Sequence, residues 1–311
     1  MEEMSLKTAI GNYGHTRPLK DGRIQSEKFD MNHVEISPVP TIFRRMVRGL
    51  EFDVAEMALS TYICAKHYEK QFTALPVFLT RSFYHAGITC HSQSNIESPE
   101  QLAGRKVGVR SYTLTPGVWT RGILQSEYGL DLDDVTWVLS GDEHVEEYVA
   151  PANVISGSTN DLSEMLLSRE VDAVIGAGKI DSPDVRPLFE NSYQSDQKWF
   201  DKTRIYPISH LLVVSDEKLQ KNPWLAEEIY SVYKSAKDLY VEKLKLSNER
   251  EPEDYPLIEM GEIVDGDPLP YSFDEERNAL DTFIKFNVDQ KIIPNYVDPE
   301  SLFAKGTHTF F

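Results

Sequence analysis

Two stretches of this chain repeat one local pattern: an amphipathic helix, a tight turn, then a short apolar strand carrying an aspartate. In the first, Phe43, Met46, Val47 and Leu50 recur at i, i+3, i+4 and i+7, the spacing of one helix face. Gly49 lies at the end of that helix, and residues 52–57 read as the following strand. In the second, Leu162, Met165 and Leu166 form the helical face, Arg169 and Glu170 close it, and residues 171–176 are the strand. Between them, residues 102–109 read as a helix end, a turn and a buried strand. Strands alternating with helices specify an α/β fold built on parallel sheet. Two matched units about a hundred residues apart imply two lobes of similar design.

The rest of the chain fits that plan. Residues 6–10 and 75–79 read as strands of the first lobe. Thr115 is placed to cap a helix whose first turn holds Pro116 and which runs through Val118, Trp119, Ile123 and Leu124 to about Gly129. Residues 203–214, with Pro207 and His210, read as a long strand returning the chain to the first lobe. A helix starts at about Leu225, with Ile229, Val232, Tyr233 and Ala236 in register. The acidic, Pro- and Gly-bearing stretch 249–270 reads as a surface loop, and a last helix covers 273–287. The expected first lobe is 1–88 with 207–311 and the second is 89–206, with a ligand cleft between them.

Charge narrows the function. The net charge is −18, which repels a phosphate backbone and argues against nucleic acid. No apolar run approaches the roughly 20 residues of a membrane span. The acidic opening residues lack the basic start and apolar core of a secretory signal, so a cytoplasmic location without membrane association is expected. Cys64 and Cys90 match no metal spacing and read as buried thiols. No P-loop, dinucleotide fingerprint or metal-ligand cluster is visible, so neither cofactor nor metal is expected.

In open α/β sheets ligands bind beyond the carboxyl ends of strands. The loops there carry Tyr13, His15 and Arg17; then Ser60, Thr61 and Tyr62; then Thr80, Arg81, Ser82 and His85; then Arg110, Tyr112, Thr113 and Thr115. His210 joins them from the returning strand. Arginines, hydroxyls and a helix start describe a site for a small carboxylate or phosphate. Glu56, a carboxylate in a buried strand, requires a partner. Plainer readings stand beside these. Arg17 suits a surface ion pair, His210 a core histidine and His85 simple packing, while His67, His91 and His144 read as surface residues.

The chain resembles the 4,5-dihydroxyphthalate decarboxylase family, an enzyme branch of the type II periplasmic-binding-protein-like fold. The matching segments run end to end. They include Tyr13 with Thr16-Arg17, Phe52-Asp53 through Glu56 to Ser60 and Tyr62, and Phe78-Leu79 with Arg81, Phe83 and His85. Further matches are Tyr112 with Leu114-Thr115 and Val118-Trp119, Tyr128-Gly129, Val135-Thr136-Trp137, Thr203-Arg204-Ile205 with Pro207-Ile208 and His210, Pro223-Trp224-Leu225, and Asp267-Pro268 with Pro270-Tyr271. Two departures bear on substrate. The family commonly has an arginine where His15 stands and none at Arg110.

The resemblance implies cofactor-independent decarboxylation of a hydroxylated aromatic carboxylate, with 4,5-dihydroxyphthalate or a close relative as substrate. Arg17 and Arg81 would clamp carboxylates, aided by Arg110, Tyr112, Ser60, Thr61 and the helix start at Thr115. His85 or His210 would give a proton to carbon, the other or His15 would take the phenolic proton, and Glu56 would orient one of them. A solute-binding protein for a small aromatic carboxylate and a chorismate-dehydratase-like enzyme are the rival readings. A homo-oligomer is compatible with either.

Overall fold

Eleven strands divide into two separate sheets in the computed structural model, which describes residues 4–246 and 249–309. In chain order they are β1 Met4–Ala9, β2 Phe29–His33, β3 Val54–Ala58, β4 Phe72–Arg81, β5 Ile88–His91, β6 Lys106–Val109, β7 Thr136–Leu139, β8 Val154–Ser156, β9 Ala173–Ile175, β10 Val185–Pro187 and β11 Ile208–Ser215. The first sheet has the order β2-β1-β3-β11-β4, and the second β10-β5-β9-β6-β7-β8. The chain accordingly forms two units. One comprises residues 1–82, 208–281 and 297–311, the other 83–207 and 282–296.

In the first unit β1 runs parallel to both β2 and β3, while β11 is antiparallel to β3 and β4. β3 lies at the centre, and all five of its residues are buried. The helix Pro40–Gly49 buries Ile42, Phe43, Met46 and Val47, the face set by its 3.6-residue period. Leu50, expected on that face, instead closes the helix in the left-handed region and is exposed. Pro76 is tolerated in β4 because that strand is an edge.

In the second unit β6, β7, β8 and β9 run parallel, and β5 pairs antiparallel with β9 and β10. Val138, Leu162, Met165, Leu166, Val171 and Val174 pack into one core cluster, which is why that helix–turn–strand stretch is so apolar. The helix Thr115–Tyr128 stacks Trp119 on Phe283, with ring centroids 4.6 Å apart.

Several expected boundaries differ. The first unit gives up Phe83 to Ile88 and residues 282–296, because the ring contacts of Phe283 and Phe286 go to Trp119 in the second unit. Residues 249–270 are not all loop. They contain the helix Asp254–Val264, in which Pro256 falls in the first turn, where no backbone N–H is needed. Thr203 ends the helix Ser192–Thr203 rather than opening a strand, with Arg204 in the left-handed region as its cap. Thr115 is the first helical residue, not the cap, since Leu114 supplies the extended backbone of that position. Ser60 and Thr61 lie buried in the first turn of the helix Leu59–His67, not in a loop. His91 and His144 are buried, not at the surface, and His91 Nδ1 accepts the Gln93 N–H at the turn that follows β5. No helix among the described residues is long and apolar enough to cross a membrane.

Candidate active site

Strand pairing in the first unit builds an acid–base pair. Glu56 lies opposite Leu212 and Ala58 opposite His210, so the two-residue period puts Glu56 and His210 on one face as diagonal neighbours. His210 also lies between two register shifts in the β11–β4 pairing, and such irregularities re-aim side chains next to functional sites. The outcome is a contact of 2.6 Å between His210 Nδ1 and Glu56 Oε1. Phe43 meets the imidazole edge-on at 4.9 Å and limits its rotation.

The loop after β1 completes the shell around Glu56. The Gly11 N–H donates to Oε2 at 2.7 Å and the Tyr13 hydroxyl donates to Oε1 at 2.7 Å. The loop is held by Thr16, whose hydroxyl donates to the Gly11 carbonyl and accepts the Tyr13 N–H, each at 2.8 Å. Glycine is required at position 11, where a Cβ would stand 2.4 Å from the Tyr13 ring. Glu56 is fully buried. Burial alone would raise its pKa, but the bonds from His210, Tyr13 and Gly11 outweigh it and hold the carboxyl below its usual value. Burial, reinforced by Glu56, pushes the Tyr13 phenol far above its ordinary range. Tyr13 is therefore a fixed donor to Glu56.

His15 stacks on Tyr13, with centroids 5.4 Å apart and planes 7° from parallel. It is buried, and burial drives its pKa down to about 4 against the opposing pull of Glu56. The Leu79 backbone favours its charged form, yet neither ring nitrogen completes a hydrogen bond. Tyr13, His15, Thr80, Arg81 and Tyr240 line a cavity of about 180 Å³, closed on its apolar side by Leu79, Leu257 and Leu269.

The arginines expected as clamps are each paired with carboxylates of the chain itself. Arg17 pairs with Glu251 and Glu253 at the surface, the plainer of its two readings. Arg81 is buried against Glu276 at 2.9 Å and donates to the Pro270 carbonyl. Arg110, in the second unit, is exposed and makes no ion pair among the described residues. Tyr112 is buried with its ring 4.0 Å from the Arg121 guanidinium, and its carbonyl accepts from the same group. Its N–H and the Thr113 N–H hold the Glu143 carboxylate at 2.5 and 3.1 Å.

His85 belongs to a second pair, with Nδ1 2.6 Å from Asp196 Oδ1. Its ring meets Phe189 edge-on at 5.0 Å. Its side chain is 2% exposed, against 21% for His210. The partners Asp196, Glu276, Glu143 and Tyr240 escaped sequence reasoning. They lie far along the chain from the residues they serve, and no local spacing marks them. Among the described residues no group of three or more His, Cys, Asp or Glu side chains is placed to hold a metal ion.

No family model matches the chain. Among solved structures it is similar to the periplasmic aliphatic sulphonate binding protein SsuA from Escherichia coli, with a TM-score of 0.55 at 13% identity, covering 99% of each chain. The fold is thus that of the type II periplasmic-binding proteins. Within that class two curated sequences are closer. A 4,5-dihydroxyphthalate decarboxylase of Pseudomonas putida is 39% identical over 185 residues, 57% of this chain and 71% of that protein. One from Comamonas testosteroni is 28% identical over 324 aligned positions, 97% of each. The chain belongs to the 4,5-dihydroxyphthalate decarboxylase family.

Proposed function

We propose that the protein is a carboxy-lyase that removes CO2 from a hydroxylated aromatic carboxylate, 4,5-dihydroxyphthalate or a close relative. The observation that carries this beyond the family likeness is the Glu56–His210 pair, a buried carboxylate bonded to an imidazole whose other nitrogen is free to meet a substrate. Glu56 fixes the tautomer and orientation of the His210 imidazole through the Nδ1 contact.

In the reaction, a ring hydroxyl releases electron density toward the carbon that bears the carboxylate. His210, as imidazolium, donates its Nε2 proton to that carbon. The carbon–carboxylate bond then breaks, its electron pair restores the aromatic ring, and CO2 leaves. The balance is one carboxylate and one proton in, one arene and one CO2 out. Such a positioned acid typically contributes about 100- to 10,000-fold. Orientation and exclusion of water supply the remainder.

His210 is favoured over His85 because its ring retains exposure while His85 is enclosed. The test is CO2 release from 4,5-dihydroxyphthalate by the intact protein and by two variants. His210→Ala should lose activity through kcat, and His85→Ala should retain more of it. Tight binding of the acid with no turnover by the unaltered protein would favour a binding protein instead.

A further inference from the structure

We infer that the cavity beside Tyr13 is the subsite for the uncharged, hydroxyl-bearing edge of the substrate's aromatic ring, and that His15 is the residue that selects it. The choice of ring rests on the carboxy-lyase reading, whereas the chemistry of the subsite rests on the cavity itself.

Size comes first. A cavity of about 180 Å³ exceeds the roughly 150 Å³ that suffices for benzene. One ring with small substituents fits. Leu79, Leu257 and Leu269 offer the apolar surface on which a ring packs.

Charge comes second. The cation on the wall, Arg81, is already neutralised by Glu276. Glu253, also on the wall, is paired with Arg17. A carboxylate entering here would meet no uncompensated positive charge and would be desolvated beside the buried Glu56 system, which disfavours it. A neutral hydroxyl incurs no such penalty.

Hydrogen bonding comes third. Neutral imidazole offers one donor and one acceptor; the Leu79 backbone approaches the His15 ring, but neither ring nitrogen completes a hydrogen bond. The Thr80 hydroxyl on the same wall also has no partner. Two adjacent ring hydroxyls can each give and accept a bond, so a catechol edge satisfies both residues at once. The Tyr13 stack holds the imidazole in place before the ligand arrives. Because Tyr13 also donates to Glu56, the same residue connects this subsite to the acid–base pair.

The probe is catechol, with benzoate as the charged control, each titrated calorimetrically into the full chain near pH 7.5. His15→Leu should weaken catechol about tenfold, the loss expected for hydrogen bonds worth about 1–1.5 kcal/mol, and leave benzoate unchanged. His15→Gln, which retains a donor and an acceptor, should restore most of the affinity. Thr80→Val gives an independent variant, expected to weaken catechol severalfold without touching the imidazole. Equal weakening of benzoate and catechol, or no effect of either substitution on catechol, would overturn the inference. The carboxy-lyase reading fails separately. A protein that binds catechol through His15 but releases no CO2 from any hydroxylated aromatic acid keeps the subsite and loses the reaction.

Discussion

Glu56 and His210 meet across neighbouring antiparallel strands, carboxylate oxygen to imidazole Nδ1 at 2.6 Å, although 154 residues separate them in the chain. The Glu56 carboxyl is held below its usual pKa, so it stays an anion through the neutral range and keeps the imidazole oriented. Glu56→Gln preserves shape but replaces the anion with an amide. It should lower kcat about 100-fold or more while changing KM little, as expected when an interaction matters chiefly in the transition state. Steady-state CO2 release at saturating substrate checks this.

A second prediction concerns acid stability. The His15 imidazole sits at about 4 instead of the ordinary 6.5. Between those values the unfolded chain takes up a proton that the folded protein refuses. The contribution is fully present above about pH 6.5 and is lost as pH falls toward 4, by about 1.4 kcal/mol per pH unit. His15→Leu removes it. Urea midpoints at pH 7 and pH 5 should therefore differ less in the variant than in the parent, by about 2 kcal/mol once converted. Identical pH sensitivity in both would contradict the depressed value.

The Arg81–Glu276 pair is fully desolvated on the arginine side, and burial raises the Glu276 pKa against the pull of Arg81. Glu276→Leu alone strands a buried cation and should cost about 3–5 kcal/mol. Arg81→Met combined with Glu276→Leu should recover most of that loss. A double-mutant cycle by urea denaturation reads the coupling directly.

Tyr240 forms part of the cavity wall, and its ring packs against Gly14 so closely that a Cβ there would lie 2.1 Å away. Gly14→Ala must displace that ring. The expected cost is about 1–3 kcal/mol of stability, with a matching loss of catechol affinity. Thermal melting and titration of the same variant test both parts.

The helices and strands were legible where period and burial agree, as at Phe43, Met46 and Val47 or at Leu162, Met165 and Leu166. Glu56 was legible as a carboxylate in need of a partner, because a charged residue in an apolar strand violates the local pattern. Its partner His210 was visible as a candidate, but the pairing depends on sheet register, which only the fold supplies. Arginine roles were the least legible. Arg17 and Arg81 look alike in sequence, yet their neutralising acids lie 234 and 195 residues away. The helix Asp254–Val264 was hidden by Pro256 and by the acidic residues around it, which resemble those of a loop.

The proposed role of His210 as the proton donor to carbon is tested most directly by solvent labelling. The intact protein is incubated with 4,5-dihydroxyphthalate in D2O while CO2 and the aromatic product are measured together. The prediction is one CO2 per product and one deuterium at the vacated ring carbon, with His210→Ala still binding the acid but losing at least 100-fold in rate. Undiminished CO2 release and deuteration by His210→Ala, or binding with no CO2 release by the unaltered protein, would contradict it.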